Sequence, residues 1–310
     1  MPCAMTNPPK NPETARPYVL LSLAVLFWAG NFILGRAVRA DVPPIALAFW
    51  RWAIASLLVC GPAFTSLKRD WGTIGQHWPI LLLLAGTGVA AFNTLVYMGL
   101  QHTVAINAFL MQTMMPVFIV IFSFVLFRDR INRGQAGGVI LCLIGAITII
   151  VQGDLQVMQN LSLNPGDLLV LLAVISYAGY TVLLRKRPAI HPLSFLAVTF
   201  VIGTLMLLPL YLWESLMVRP IQWNAVTLLS VGYVGIFPSI ISYLCYNRGV
   251  ERIGANRAGL FLYLMPVFGS AMAVFFLGES FRWFHWAGIV LIAAGIVTTL
   301  RGGKWNRRNQ

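Results

Sequence analysis

The chain has 310 residues, of which 58% are hydrophobic and only 10% are charged, and its mean hydropathy is +0.78. A soluble domain carries about 25% charged residues, so this composition is typical of an integral membrane protein. The net charge of +13 does not indicate nucleic-acid binding, because the basic residues form short clusters between long apolar runs. The four cysteines show no CxxC or Cys/His grouping, so the sequence implies neither a disulfide framework nor a metal site.

Taken in chain order, the sequence begins with a polar, proline-rich segment, 1–17, which we predict to be a cytoplasmic tail. A helix needs about 20 apolar residues to cross the hydrocarbon of a bilayer. Ten segments meet this requirement, and the short connections leave no room for a separate soluble domain. The predicted membrane spans are 18–38, 44–64, 78–100, 103–127, 134–152, 167–184, 193–213, 223–247, 256–277 and 284–301.

The distribution of lysine and arginine predicts how these spans are oriented. With the N-terminus in the cytoplasm, 17 basic residues fall on the cytoplasmic side and only four on the outer side. The outer ones are Arg36, Arg39, Arg219 and Arg282. Because short cytoplasmic loops carry an excess of positive charge, both termini are predicted to be cytoplasmic.

The chain also contains an internal repeat at an offset of 150 residues. Residues 99–148 overlay 249–298 without a gap, and the sequence Met-Pro-Val-Phe occurs at both 115–118 and 265–268. A chance match between apolar stretches would give scattered leucine and valine identities instead of shared proline and glycine. Each repeat holds five spans, an odd number, so the second must enter the membrane inverted relative to the first.

The repeat predicts the domain organisation of an all-α membrane protein with two inverted five-helix repeats. The first repeat is predicted at 18–152 and the second at 167–301. An outer linker, 153–166, joins them, and a basic cytoplasmic tail, 302–310, follows the second repeat.

Matched helix-weakening residues occur in both repeats. Pro116 and Pro266 occupy one repeat position, and Gly88 and Pro238 occupy another. Since proline removes a helix hydrogen bond, these pairs are candidate hinges that would let the two repeats exchange shapes. The alternative is that proline is simply commoner in membrane helices than in soluble ones.

These features resemble the drug/metabolite transporter superfamily in its ten-span EamA form. The resemblance covers nearly the whole chain and rests on the repeat and on short motifs. The motifs are Trp28-Ala29-Gly30-Asn31, Arg51, the two matched prolines, Gly278-Glu279, Gly288 and Gly295. Within the superfamily the chain looks most like the YddG-type aromatic amino acid exporters of bacterial inner membranes. The first repeat departs from the pattern, because Arg128-Asp129 stands where the second repeat has Gly278-Glu279.

Polar and aromatic side chains inside the spans are the candidates for a central substrate cavity. They recur on matched helix faces of the two repeats, although interhelical hydrogen bonding and interfacial anchoring are alternative roles. The candidates are Trp28, Asn31, Arg51, Asn93, Tyr97, Gln112, Thr113, Tyr177, Tyr180, Tyr243 and Tyr263. Arg51 lies about 10 Å below its helix end, where it could attract a substrate carboxylate, bind helix-end carbonyls or snorkel outward.

The acidic residues all fall in tails, loops or span ends, so no carboxylate is predicted at mid-membrane. This argues against cationic drugs as substrates and against a carboxylate proton relay. A cavity lined by aromatic rings, amides and hydroxyls suits aromatic or hydrophobic amino acids, which the resemblance also implies. Purines, sugars and other neutral drugs or metabolites remain alternatives.

Other functional classes are less well supported by the sequence. A membrane enzyme would need a metal or acid/base cluster, and the four histidines are scattered over different span ends. We therefore predict no catalytic residues and no cofactor. Glycines spaced by seven in spans five and ten predict close packing of these two helices as a scaffold, with a monomer or a homodimer both open.

Overall fold

The computed structural model describes residues 12–38, 41–103, 105–154, 156–157, 164–277 and 280–301, and the regular structure in these ranges is helical. The first half contains α1 (Pro12–Ala37), α2 (Pro44–Gln76), α3 (Trp78–Ala85), α4 (Phe92–His102), α5 (Ala105–Thr113), α6 (Met115–Phe127) and α7 (Arg133–Ile150). The second half contains α8 (Pro165–Leu183), α9 (Pro192–Met217), α10 (Ala225–Val234), α11 (Ser242–Ile253), α12 (Ala255–Leu260), α13 (Leu264–Leu277) and α14 (Trp283–Arg301).

Among the described residues, eight helical stretches are long and apolar enough to cross a membrane. They are Pro44–Gln76, Trp78–His102, Asn107–Phe127, Arg133–Ile150, Pro165–Lys186, Pro192–Val218, Ala225–Ile253 and Trp283–Leu300. The predicted spans 18–38 and 256–277 are not among the eight, although both coincide with helix. The protein is therefore a multi-pass membrane protein, and the count of ten spans remains a prediction.

Several boundaries differ from those predicted. Helix α1 begins at Pro12, inside the segment predicted as a tail, and α2 continues to Gln76 instead of ending at 64. A hydropathy criterion could not predict this extension, because the residues after 64 are mostly polar. Polar residues can nevertheless continue a helix outside the hydrocarbon. The Gly278-Glu279 motif, Arg39 and the tail 302–310 lie outside the described residues.

Two π-helical segments interrupt long helices at the predicted hinge positions. Residues Gly86–Ala91 join α3 to α4, and Gly235–Ile241 join α10 to α11. The first segment contains Gly88 and the second contains Pro238. π-Helical turns are rare and often mark functional sites, because they free backbone carbonyls from the regular hydrogen-bond ladder.

The other hinge pair lies just after two matched helix breaks. The chain leaves regular α-helix at Met114, two residues before Pro116, and in the 3₁₀ turn Phe261–Tyr263 before Pro266. Met114 and Leu264, at the same repeat position, have similar backbone angles of φ −76°, ψ −14° and φ −73°, ψ −10°. The two prolines therefore follow the same local deformation in each half.

The most extensive helix packing joins one half of the chain to the other. α7 packs on α14, α2 on α9, α4 on α8 and α1 on α11. Glycines bring α7 and α14 into close backbone contact: a Cβ on Gly145 would lie 2.7 Å from the carbonyl oxygen of Gly288. This agrees with the close packing that the glycine spacing predicts.

Carboxylates fix the ends of the α2–α9 pair. Glu214, near the end of α9, accepts hydrogen bonds from the backbone amides of Ile45 at 3.1 Å and Ala46 at 2.7 Å, in the first turn of α2. Asp70, near the end of α2, accepts from the backbone amide of His191 at 2.8 Å, at the start of α9. The two helices are thus antiparallel, and each supplies an anion to the positive end of the other.

The remaining described carboxylates are also engaged at helix ends or in ion pairs. Asp167 closes a capping box at the start of α8 and also contacts Thr103. Asp129 pairs with Arg185, and Glu251 pairs with Arg187. Asp41 and Asp154 have loop partners. Each of the carboxylates whose side chains are described therefore lies in a loop or near a helix end.

The buried cap at Glu214 yields a stability prediction. We expect Glu214→Gln to lower the free energy of unfolding by about 1–2 kcal/mol, because it removes the charge that faces the α2 N-terminus. Thermal unfolding of the detergent-solubilised protein measures this effect. Asp129→Asn is the control, because its ion pair is 44% exposed and is expected to contribute under about 1 kcal/mol. Equal losses in the two variants would contradict the capping role.

The first π-helix provides a second prediction with a matched control. A Cβ on Gly88 would overlap the ring of Tyr180, whereas one on Gly86 would meet only Met206 side-chain atoms at 3.8 Å. Gly88→Ala is therefore expected to destabilise the protein by about 1–3 kcal/mol through overpacking. Gly86→Ala should be neutral or slightly stabilising. Equal thermal midpoints for the two variants would show that the contact at Gly88 is not tight.

Candidate functional site

A small cavity lies between the two halves of the chain and is lined mainly by aromatic, apolar and amide side chains. Its lining residues are Trp28, Asn31, Phe92, Asn93, Phe109, Gln112, Thr113, Met115, Tyr177, Leu262, Met265 and Pro266. The space open to the centre of a water molecule is about 20 Å³, enough for roughly one water. The cavity must widen before it can hold a solute as large as an amino acid.

The structure gathers part of the predicted site at this cavity. The predicted residues that line it are Trp28, Asn31, Asn93, Gln112, Thr113 and Tyr177, with Pro266 from the hinge pair. Arg51, Tyr97, Tyr180 and Tyr243 lie outside this lining, although each contacts a residue of the lining or a neighbouring π-helix. Tyr263 instead packs among residues of α7, α12 and α14.

Sequence reasoning missed the apolar lining residues. Phe92, Phe109 and Leu262 cannot be told from other apolar residues of a membrane helix by residue type alone. The repeat does contain a signal for two others, because Met115 and Met265 are the same position of the repeated Met-Pro-Val-Phe sequence, and both line the cavity.

Arg51 lies on one side of the cavity and is the centre of a buried hydrogen-bond network. Its Nη1 group donates to Asn31 Oδ1 at 3.1 Å, Asn93 Oδ1 at 2.9 Å and the Tyr97 hydroxyl at 3.0 Å. Nε donates to Ser239 Oγ at 2.6 Å, and Nη2 donates to the Pro238 carbonyl at 3.0 Å. The side chain is 1% exposed, so it does not snorkel outward.

All of these acceptors are neutral. Within the described part of the chain, no carboxylate forms an ion pair with Arg51. A buried cation without a counter-ion creates a positive potential that little solvent screens. Two of its acceptors, Asn31 and Asn93, line the cavity, which therefore lies one amide group away from the guanidinium.

A cluster of tyrosines lies between the cavity and a wide vestibule. Tyr177, which lines the cavity, packs on Tyr180 with ring centroids 5.2 Å apart. The Tyr180 hydroxyl donates to Asn247 Oδ1 at 2.9 Å, and Tyr246 and Thr181 are joined through their hydroxyls at 3.2 Å. Tyr97, Tyr243 and Asn247 are all buried and form hydrogen bonds between helices, which is one of the alternative roles given for such residues above.

The vestibule beyond this cluster has a volume of about 860 Å³. It is lined by the helix ends near 127–135, 181–189 and 247–257, and Asn247 contributes to its wall. Five arginines and two carboxylates line it, which leaves an excess of three positive charges. The charged lining residues are Arg128, Arg130, Arg185, Arg187, Arg257, Asp129 and Glu251.

Two matched Tyr–Asn hydrogen bonds lie next to the cavity, one in each half of the chain. In the first half, the Tyr97 hydroxyl donates to Asn31 Oδ1 at 2.7 Å. In the second half, Tyr180 donates to Asn247 at 2.9 Å. Asn31 and Tyr180 are 149 residues apart, and Tyr97 and Asn247 are 150 apart, so the same two repeat positions form both bonds with the residue types exchanged.

The carbonyls of the two π-helices also accept hydrogen bonds from the opposite half of the chain. The Tyr243 hydroxyl donates to the Gly88 carbonyl. Trp28 Nε1 donates to the Pro238 carbonyl at 2.9 Å. The two hinges predicted at Gly88 and Pro238 are therefore each bound by an aromatic side chain of the other half.

Several polar groups of the cavity have no hydrogen-bond partner among the described residues. These are Gln112 Nε2, Asn93 Nδ2 and the Tyr177 hydroxyl, and all three side chains are more than 90% buried. Asn93 and Tyr177 lie near the Tyr243 hydroxyl without a well-formed hydrogen bond to it. A buried donor without a partner costs free energy, so such groups commonly serve a ligand. In the same described ranges, no group of three His, Cys, Asp or Glu side chains could hold a metal ion.

Comparison with known proteins gives a consistent family. The EamA-like transporter family matches residues 15–151 and again 164–301. An uncharacterized transporter of Bacillus subtilis, YyaM, is 26% identical over 302 residues, covering 94% of this chain and 97% of that protein. A protein of Salmonella typhimurium described as a probable amino-acid metabolite efflux pump is 26% identical, covering 93% of this chain and 96% of its own length.

A solved structure described only as a crystal structure of a protein shares the fold. It has a TM-score of 0.74 at 19% identity, covering 92% of this chain and 96% of that chain. The family match spans most of the sequence, and the relatives are transporters of similar length. The chain therefore belongs to the EamA-like transporter family, and it is a membrane transporter, not an enzyme.

Proposed function

We propose that the protein is a secondary transporter that exports aromatic or hydrophobic amino acids and related small metabolites across a bacterial inner membrane. The observation that carries this proposal is a buried cavity of aromatic and amide side chains closed between two matched Tyr–Asn hydrogen bonds. Rings such as Trp28, Phe92 and Tyr177 offer stacking faces, and the unpaired amides offer donors. The Salmonella relative described as a probable amino-acid metabolite efflux pump supports the amino-acid class.

The proposed architecture is ten spans in two inverted repeats, 18–152 and 167–301, with both termini cytoplasmic. Two separate family matches, 15–151 and 164–301, support the division. The helix packing supports it as well, because the contacts are symmetric between the repeats. In the repeat, α1, α2, α4 and α7 correspond to α8, α9, α11 and α14. The α4–α8 contact therefore corresponds to the α11–α1 contact, and the α2–α9 and α7–α14 pairs each join two corresponding helices. In this orientation the electropositive vestibule opens to the cytoplasm, as expected for a surface rich in arginine.

Alternating access then follows from the two matched gates. We define the outer gate as Tyr97–Asn31 and the inner gate as Tyr180–Asn247. Opening the inner gate would connect the cavity to the vestibule, and opening the outer gate would connect it to the other face. Both gates are closed in this structure, and the π-helices at Gly88 and Pro238 provide deformable backbone beside them.

The transport step proposed here needs no carboxylate proton relay. The described carboxylates serve helix ends and ion pairs instead of the cavity. Exchange of substrate should therefore proceed without an imposed ion gradient.

Counterflow in liposomes that contain only the purified protein tests this proposal. Vesicles preloaded with unlabelled tryptophan should transiently accumulate labelled tryptophan above equilibrium, without any ion gradient. Equilibration without an overshoot would indicate a channel. No uptake by folded, inserted protein would contradict the substrate assignment.

A cavity variant gives the same experiment a matched control. Gln112→Leu removes an unpaired buried donor and should raise the half-saturating tryptophan concentration about tenfold, as expected for a lost hydrogen bond to a charged group. Gln101→Leu makes the same change at an exposed position and should leave transport unchanged. If both substitutions change the half-saturating tryptophan concentration equally, Gln112 does not bind the substrate.

A further inference from the structure

We propose that the cavity selects its solutes by negative charge, so that it binds aromatic carboxylates that lack an α-amino group and rejects aromatic amines. The preferred class is then arylalkanoic or aryl 2-oxo acids, with zwitterionic amino acids as weaker ligands. This inference rests on the proposed function, because it takes the cavity to be the substrate site.

The first support is the uncompensated charge of Arg51. Its guanidinium is 1% exposed and donates only to neutral oxygens of four side chains and one backbone carbonyl. A cation in this environment is stabilised by any anion that enters the neighbouring cavity, and little solvent is present to screen the attraction. A neutral solute gains only the weaker attraction between this charge and its dipoles, and a cationic solute is repelled.

The second support is the orientation of the amides that lie between Arg51 and the cavity. Because Arg51 takes the side-chain oxygens of Asn31 and Asn93, the group that each amide can still offer to a ligand is its NH₂ donor. Gln112 Nε2 has no partner among the described residues, and Asn93 Nδ2 has only the Tyr243 hydroxyl nearby. Arg51 thus orients these amides so that the cavity presents hydrogen-bond donors. Donors of this kind suit the oxygens of a carboxylate.

The third support is that the cavity offers no anion to an ammonium group. Its lining contains no aspartate or glutamate among the described residues. The nearest described carboxylates on the route from the vestibule, Asp129 and Glu251, are paired with arginines, and the vestibule keeps an excess of three positive charges. The field along this route attracts anions and repels amines.

A set of three indole ligands tests the proposal without any transport measurement. Indole-3-propionate is an anion, tryptophan is a zwitterion and tryptamine is a cation, while their ring system is the same. Ligand-dependent thermal stabilisation of the purified full-length protein in detergent would give an apparent dissociation constant for each. We expect indole-3-propionate to bind at least tenfold more tightly than tryptamine and more tightly than tryptophan. Equal or tighter binding of tryptamine or of tryptophan, or no stabilisation by indole-3-propionate, would overturn the proposal.

Asn93→Asp tests whether Arg51 is the source of the preference. The substitution keeps the size of the side chain and places a carboxylate 2.9 Å from Nη1, where it neutralises the cation. We expect at least a tenfold loss of indole-3-propionate affinity with tryptamine affinity unchanged or improved. Gln222→Glu adds the same charge at an exposed loop position and should change neither affinity. If the Asn93→Asp variant still binds indole-3-propionate tenfold more tightly than tryptamine, Arg51 is not the source of the preference.

The binding test and the counterflow test can contradict the charge selection and the proposed function independently of each other. Counterflow of tryptophan with equal binding of acid and amine would keep the proposed function and overturn the charge selection. Tight binding of indole-3-propionate without tryptophan counterflow would keep the charge selection and overturn the amino-acid assignment.

Discussion

The structure depends most on how it accommodates a charged guanidinium inside a membrane protein. Burying an ion costs several kcal/mol unless hydrogen bonds replace its hydration. Arg51 meets this requirement with acceptors from α1, α4 and the second π-helix. The same bonds therefore hold three elements against α2, and they form only when these elements are close together. In this way a solvation requirement becomes a structural link between the two halves of the chain.

The two π-helices provide further hydrogen-bond acceptors that link the halves of the chain. A π-turn leaves carbonyl groups without a regular helix partner, and here the carbonyls of Gly88 and Pro238 accept from aromatic or arginine side chains of the opposite half. In the proposed alternating access, the backbone at each π-helix changes shape by exchanging these side-chain partners. Tyr97 and Asn247 lie in α4 and α11, the helices that follow these two segments, so each proposed gate lies near a π-helix of its own half.

The sequence could predict the matched residues of the two repeats, but it could not predict the local backbone or the apolar side chains around them. The repeat located Gly88 and Pro238, and the residue types located several of the amides and aromatic rings of the cavity. The π-turns could not be read from composition, because they shift the helical register without a distinctive residue pattern. Tyr263 shows the consequence of a similar shift: it lies in a 3₁₀ turn and packs against the α7–α14 pair. The apolar half of the cavity lining was likewise hidden, since phenylalanine and leucine serve equally for cavity, core and lipid contact.

The central claim is that the two Tyr–Asn bonds open alternately onto one cavity. Its most direct test is the reaction of Thr113→Cys, a cavity position, with a membrane-impermeant thiol reagent applied from each side of oriented proteoliposomes, with the native cysteines replaced. Tyr180→Phe should raise the labelling rate from the vestibule side and lower it from the other side, and Tyr97→Phe should do the reverse. Parallel changes on both sides, or no change in either variant, would contradict alternating gates.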